Sequence, residues 1–174
     1  MKTTELKTGD ILHCKGKSLL SKLIMFFTSS KFSHSALVVE TWGQLYVVDA
    51  QKNGVNPRPL LDWIKHYNYD VKVSVPIVEF DVKAFSIKCF SKVGFTPYDF
   101  VSFLVYQPYY LITGKWVGKT NENANGSMYC SEFVGWIHQS PNYWELSPKD
   151  IFNLFSQSAN FITYDLEKDE NIVN

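Results

Sequence analysis

The stretch Gly126-Ser127-Met128-Tyr129-Cys130-Ser131-Glu132-Phe133-Val134 decides how this chain is read, because it sets a cysteine at the first turn of a helix. Asn125, Gly126 and Ser127 are helix-start residues, and Glu132 places a carboxylate where the helix dipole favours it. Counting from Cys130, the apolar positions Phe133, Val134 and Ile137 follow at i+3, i+4 and i+7, one face of a helix. The sulfur therefore points toward whatever that helix packs on. It also lies beside backbone N–H groups that the helix leaves unpaired and that stabilise a thiolate. Cysteine is also among the most buried residue types, so core packing is the competing account of Cys130. A partner base has to tip the balance.

That base is sought upstream. Ser33 to Glu40 alternates as a strand, with His34, Ala36, Val38 and Glu40 on one face, and Leu45 to Ala50 returns as a second strand. A two-residue loop at Trp42-Gly43 sets His34 opposite Gln51; a loop one residue earlier sets it opposite Asp49. Either register leaves Asp49 on the face of His34, directly across or one diagonal away. Glu40 shares that face but stands roughly 20 Å along the strand, too far to orient the ring. Gln51 is the rival to Asp49 as the orienting group. A thiol needs an imidazole to take its proton, and the imidazole needs a polar group to hold its tautomer. Cys130, His34 and Asp49 satisfy that requirement together, although each has an ordinary structural reading when taken alone.

The remaining chain supplies a scaffold. Gly9 to Cys14 reads as a turn and short strand, with Cys14 in the core and His13 a plain strand residue. Leu19 to Phe27 has helical apolar spacing and predicts a face that seeks burial. Gly54 to Pro59 is a loop or short extended piece. Leu60, Leu61, Ile64 and Tyr67 mark a short helix with His66 off its apolar face. Val71 to Val78 is a strand with Pro76 near its end, and Asp81 caps a helix that buries Cys89. Thr96-Pro97 opens an aromatic helical segment to about Thr113, bent or broken at Pro108. Gly114 to Gly126 is expected to be a mobile loop. The Cys130 helix runs to about His138, for which no partner is visible; Ser147-Pro148 begins a short helix, and Phe161 to Tyr164 is a last strand.

Composition bounds the possibilities. The 174 residues suit one domain, 1–174, with an acidic flexible tail over 165–174. A hydrophobic share of 45% with 20% charged residues reads as globular, and the 16% aromatic share suggests rings lining a groove. Zero formal net charge argues against a nucleic-acid partner. Three cysteines without C-x-x-C spacing disfavour a disulfide framework and a structural zinc site. The start of the chain lacks the pattern of a secretion signal, and its longest apolar run is too short to span a bilayer. The expected location is the cytoplasm, with room for peripheral membrane contact.

At the level of motifs the chain resembles a family. Gly9-Asp10-Ile11, Ser33-His34-Ser35-Ala36-Leu37-Val38-Val39-Glu40 and Val48-Asp49-Ala50 look like the opening motifs of circularly permuted papain-like proteins. These form the YiiX-like branch of the NlpC-type superfamily, akin to lecithin:retinol acyltransferase. Pro97-Tyr98-Asp99-Phe100, Tyr129 to Val134 and Ser147-Pro148-Lys149-Asp150 are similar to its later motifs. The resemblance spans roughly residues 9 to 155. It implies an α+β fold with an antiparallel, partly barrel-like sheet, the Cys130 helix being expected to pack across the histidine face. It also implies Cys130 as nucleophile, His34 as base and Asp49 as third polar residue, where the family often carries a glutamate or histidine.

The function expected is a cysteine hydrolase that needs no cofactor or metal and cleaves an amide or ester through a thioester. Its substrate class is a peptide, a cell-wall-type amide or an acyl lipid, and Tyr129, Tyr98 and Ser33 are expected to contact it. Acyl transfer to an amine or alcohol, and a binding module without turnover, are the competing readings. Tyr98 to Tyr110 and Leu19 to Phe27 give mild support for an acyl chain, and core packing accounts for both segments equally well.

Overall fold

The computed structural model describes residues 1–66, 70–120 and 126–167. Its centre is a six-stranded antiparallel sheet of β1 (Ile11–Lys15), β2 (His34–Thr41), β3 (Gln44–Gln51), β4 (Gly54–Pro59), β5 (Asp70–Pro76) and β6 (Phe161–Asp165). The strand order is β4-β3-β2-β1-β5-β6. Pro57 and Pro59, which weigh against a strand in sequence, are accommodated because β4 ends the sheet and has one free side.

The β2–β3 turn sets the geometry of the site. Trp42 and Gly43 both adopt positive φ, 51° and 70°, the two-residue turn whose twist matches that of the strands. Thr41 therefore pairs with Gln44 and Leu37 with Val48. Carried to the strand end, this register sets His34 opposite Gln51, with Asp49 one diagonal away.

Alternation divides the sheet between two cores. Leu37, Val39, Val48 and Ala50 pack against α5 (Cys130–Ile137), through Phe133, Val134 and Ile137, and against α6 (Pro148–Ser156). Ala36, Val38 and Val47 face the other way and meet Leu60, Trp63 and Ile64 of α2 (Leu60–His66). The Cys130 helix thus lies on the face opposite Ala36 and Val38, not across the alternation that includes His34. The thiol and imidazole meet because each opens its element: His34 is the first residue of β2 and Cys130 the first of α5.

Other expectations are met or corrected locally. Asp81 caps α3 (Val82–Phe90) by accepting the Ala84 N–H, and buried Cys89 packs as expected. Pro97 does not begin a helix: Pro97 and Tyr98 are extended, Tyr98 bridges Met128, and Asp99 is the cap, its Oδ1 accepting the Ser102 N–H at 2.9 Å. Pro108 does not break the segment either. One wide π turn, Ser102–Tyr106, precedes α4 (Gln107–Thr113), and the Gln107 N–H bonds back to the Ser102 carbonyl. That turn adjusts the hydrogen-bond ladder just where proline removes a donor.

The helix α1 (Leu19–Phe27) was expected to bury its apolar face, yet none of its residues is buried. Within the stretch expected to be a mobile loop, Lys119 is buried and paired, while 121–125 lie outside the described residues. Tyr67 also falls outside them. Of the stretch expected as a flexible tail, the described residues 165–167 are paired. Asp165 belongs to β6 and pairs with Lys72, and the backbone of Leu166 and Glu167 bonds to Val71 and Met1. Backbone pairing outweighs the acidic composition there, and 168–174 lie outside the described residues. No described helix is long and apolar enough to cross a membrane.

Candidate active site

The site forms at the end of the sheet where β2 and α5 begin. His34 Nε2 lies 2.7 Å from Asp49 Oδ2. The same carboxylate oxygen accepts the Gln51 amide at 3.0 Å and the Arg58 guanidinium at 2.7 Å. Asp49 and Gln51 are therefore not alternatives: the carboxylate holds the ring and the amide holds the carboxylate. Arg58 was absent from the sequence reading, yet the strand register could have found it. It pairs with Val47 across β3–β4, two residues from Asp49 on the same face.

With Nε2 committed to Asp49, Nδ1 is the nitrogen left for the thiol. Burial alone would lower the His34 pKa, but the neighbouring Cys130 charge and hydrogen bonds to Asp49 and Cys130 push it up to about 10. The ring is thus held as an imidazolium at neutral pH. Cys130 and His34 both line a cavity of about 660 Å³, shared with Ser33, Tyr98, Gly16 and Phe103. Cys14 and Cys89 are buried elsewhere, in the two cores.

Helix geometry leaves the N–H groups of Cys130 and Ser131 without intrahelical acceptors, whereas that of Tyr129 bonds Glu132 Oε2 at 3.3 Å. Asn125 is outside the described residues and Ser127 does not cap α5. Its hydroxyl instead donates to Asp99 Oδ2 at 3.1 Å. Beneath this helix start, Lys119 Nζ pairs with Asp99 at 2.8 Å and Glu132 at 3.0 Å, and donates to the Ser127 carbonyl. Burial pushes the Glu132 carboxyl up to about 7 although Lys119 pulls it down. For Asp99 burial works the same way, but the bonds from Lys119 and Ser102 outweigh it and hold the carboxyl below its ordinary value. The sequence reading missed this buried cluster because Lys119 sits in a segment without periodicity.

Of the residues expected to meet substrate, Tyr98 and Ser33 line the cavity. Tyr129 does not. Its side chain is fully buried, and its hydroxyl donates to the Trp144 carbonyl at 2.7 Å and to Gln107 Oε1 at 3.2 Å. Burial, then the charge on Cys130, pushes the Tyr98 phenol well above its usual pKa, so it stays a hydrogen-bond donor. His13 and His138 stand apart from the site. Burial takes His13 down to about 3 beside Ser74, Phe32 and Phe152. His138 falls to about 4 among Phe85, Phe155 and Phe161.

Comparison with known proteins gives the fold and the family. The metalloprotein YiiX of Escherichia coli O157:H7 has a crystal structure similar to this chain, with a TM-score of 0.58 and 22% identity. The match covers 94% of this chain and 98% of that one, and at such identity it speaks for the fold. No curated protein matches the chain. The sequence pattern of the permuted papain-like amidase enzymes, the YaeF/YiiX or C92 family, matches residues 5–159. The chain belongs to that family of permuted papain-like amidases.

Proposed function

We propose that the protein is a cysteine hydrolase that cleaves an amide or ester bond through a thioester on Cys130. The observation that carries this reading is the meeting of the Cys130 thiol with an Asp49-held imidazole in one open cavity. The Cys130 thiolate attacks the substrate carbonyl, and the oxygen of the tetrahedral intermediate takes the N–H of Cys130 and the Tyr98 hydroxyl as donors. As the C–N or C–O bond breaks, the His34 imidazolium gives its proton to the leaving amine or alcohol. Water then attacks the thioester, passing its proton to His34. The acid leaves, and the thiolate–imidazolium pair is restored.

Asp49 is a positioning residue in this scheme. The YiiX neighbour is described as a metalloprotein. Among the described residues here, no three His, Cys, Asp or Glu side chains group as ligands for an ion. Asp49 Oδ2 is also already shared by three donors, so the donor set does not fit a metal and each step uses the chain's own groups.

An electrophilic thiol probe read by peptide mass tests the assignment. Selective modification of Cys130 over Cys14 and Cys89, lost in His34→Ala, is the expected result; equal or absent labelling of all three overturns it. Product analysis with an added amine or alcohol then shows whether water or that acceptor takes the acyl group.

A further inference from the structure

Beneath the start of α5 one buried ammonium holds two carboxylates, and each of these also binds the backbone at the start of a helical segment. Asp99 Oδ1 accepts the Ser102 N–H at 2.9 Å, while its Oδ2 lies 2.8 Å from Lys119 Nζ. Glu132 Oε2 accepts the Tyr129 N–H at 3.3 Å, while its Oε1 lies 3.0 Å from the same nitrogen. The ammonium also donates to the Ser127 carbonyl. Lys119 belongs to neither helical segment. Its own carbonyl accepts the Trp116 indole N–H at 2.7 Å, and that ring packs on Tyr106 and Tyr110.

The neighbours of the two carboxylates are the groups that face a reacting carbonyl. Tyr98 precedes Asp99, Cys130 stands two positions before Glu132, and both line the thiol cavity. The Met128 N–H bonds the Pro97 carbonyl at 2.9 Å and the Asp99 N–H bonds the Met128 carbonyl at 3.2 Å, and Lys119 adds a side-chain tie between the same two segments. Stability does not account for that tie, because apolar residues of similar volume commonly match or exceed a buried ionic triad. What the triad adds is a fixed geometry. We infer that Lys119 is a positioning residue: through Asp99 and Glu132 it sets the gap between the Tyr98 hydroxyl and the Cys130 N–H, the two donors that receive the oxyanion. The inference rests on the cysteine-hydrolase reading and adds to it the group that spaces its donors.

Two reactions of the same thiol separate this role from a structural one. Iodoacetamide is attacked at a saturated carbon: the Cys130 sulfur bonds to it, iodide leaves with the bonding pair, and no oxyanion forms. 4-Nitrophenyl acetate is attacked at its carbonyl: the sulfur bonds to the acyl carbon, the π pair moves to oxygen, and its return expels 4-nitrophenolate. The ratio of acylation to alkylation rate therefore reads the oxyanion donors, corrected for thiolate content and for the folded fraction. In Lys119→Met alkylation slows with the loosened helix start, and acylation is expected to slow a further 10- to 100-fold, about the loss that a displacement of 1 Å brings. In a Tyr98→Phe background one of the two donors is already gone, and Lys119→Met is expected to lower the ratio by less than about threefold, because the two changes act on one geometry.

An unchanged ratio in Lys119→Met, or the same fold-loss with and without the Tyr98 hydroxyl, overturns the positioning role and leaves the hydrolase reading standing. A native Cys130 that takes iodoacetamide but not the ester, or neither reagent, ends the hydrolase reading and the role with it. If Lys119→Met shows no cooperative urea transition, Asp99→Asn takes its place. It keeps the shape of one cap and removes the charge that faces the ammonium, and the ratio is expected to fall about tenfold. No fall in that variant overturns the role.

Discussion

His34 Nε2 and Asp49 Oδ2 stand 2.7 Å apart across the β2–β3 pair, with the carboxylate 1% exposed. A buried carboxylate needs compensation, and here Gln51 and Arg58 converge on the same oxygen that holds the ring. The carboxylate fixes both the orientation of the imidazole and the nitrogen it turns toward the thiol.

Replacing Asp49 by Asn keeps the shape and removes the charge. The amide presents a poorer acceptor to Nε2, so the ring loses its preferred proton arrangement. The expected loss in kcat/KM is about 10²- to 10⁴-fold, as in a triad whose carboxylate is neutralised. Arg58→Ala removes one charge-assisted bond, an effect of about 1.5–3 kcal/mol on the carboxylate, and costs less activity. Steady-state kinetics on one activated ester compares the two; equal and negligible losses would contradict the positioning role.

The pH profile follows from the raised His34 pKa. The imidazolium needed to protonate the leaving group persists through neutral pH and is lost as pH rises through about 10. Turnover of an amide is therefore expected to fall on that alkaline limb, whereas alkylation of Cys130, which needs only the thiolate, persists. The stability that this proton brings has the same sign. It is fully present below the unfolded value of 6.5 and disappears as pH rises through about 10. Parallel profiles of turnover and iodoacetamide labelling check the point.

His13 acts in the opposite direction. Its folded pKa is about 3, so below pH 6.5 the unfolded chain binds a proton that the folded one refuses, and stability falls with pH. The slope is about 1.4 kcal/mol per pH unit between those values. His13→Phe suits the Phe32 and Phe152 neighbours, and Ser74 keeps its bond to Thr163. Urea midpoints at pH 7 and pH 4 are expected to differ less in this variant than in the native protein.

Lys119→Met leaves Asp99 and Glu132 facing each other's charge without their shared cation. Breaking such a buried pair costs about 3–5 kcal/mol, and the start of α5 bears the strain. Denaturant unfolding should register the full loss, and Cys130 labelling should slow because its helix start is no longer held.

Much of this was legible in the residues. The alternation of Ser33 to Glu40, the Trp42-Gly43 turn and the i, i+3, i+4, i+7 pattern after Cys130 each encode a local geometry that does not depend on distant contacts. Caps with a short polar side chain, Asp81 and Ser147, were legible for the same reason. Thr96-Pro97 misled because a good helix-start pair was overridden by the Tyr98–Met128 bridge, a contact thirty residues apart. The exposure of α1 was equally invisible, since periodicity states that a face is apolar but not what covers it.

From the sequence alone came most of the elements, the shared strand face that keeps Asp49 within reach of His34 in either of two registers, and the order of motifs that marks the family. Tertiary structure alone decided that α5 packs on the opposite face and meets His34 at the sheet's end. It also recruited Arg58 and Lys119, buried Tyr129 and left α1 exposed. The physical reason is range. Backbone periodicity and caps are settled within a few residues, whereas burial and ion pairing depend on which surfaces the folded chain leaves free.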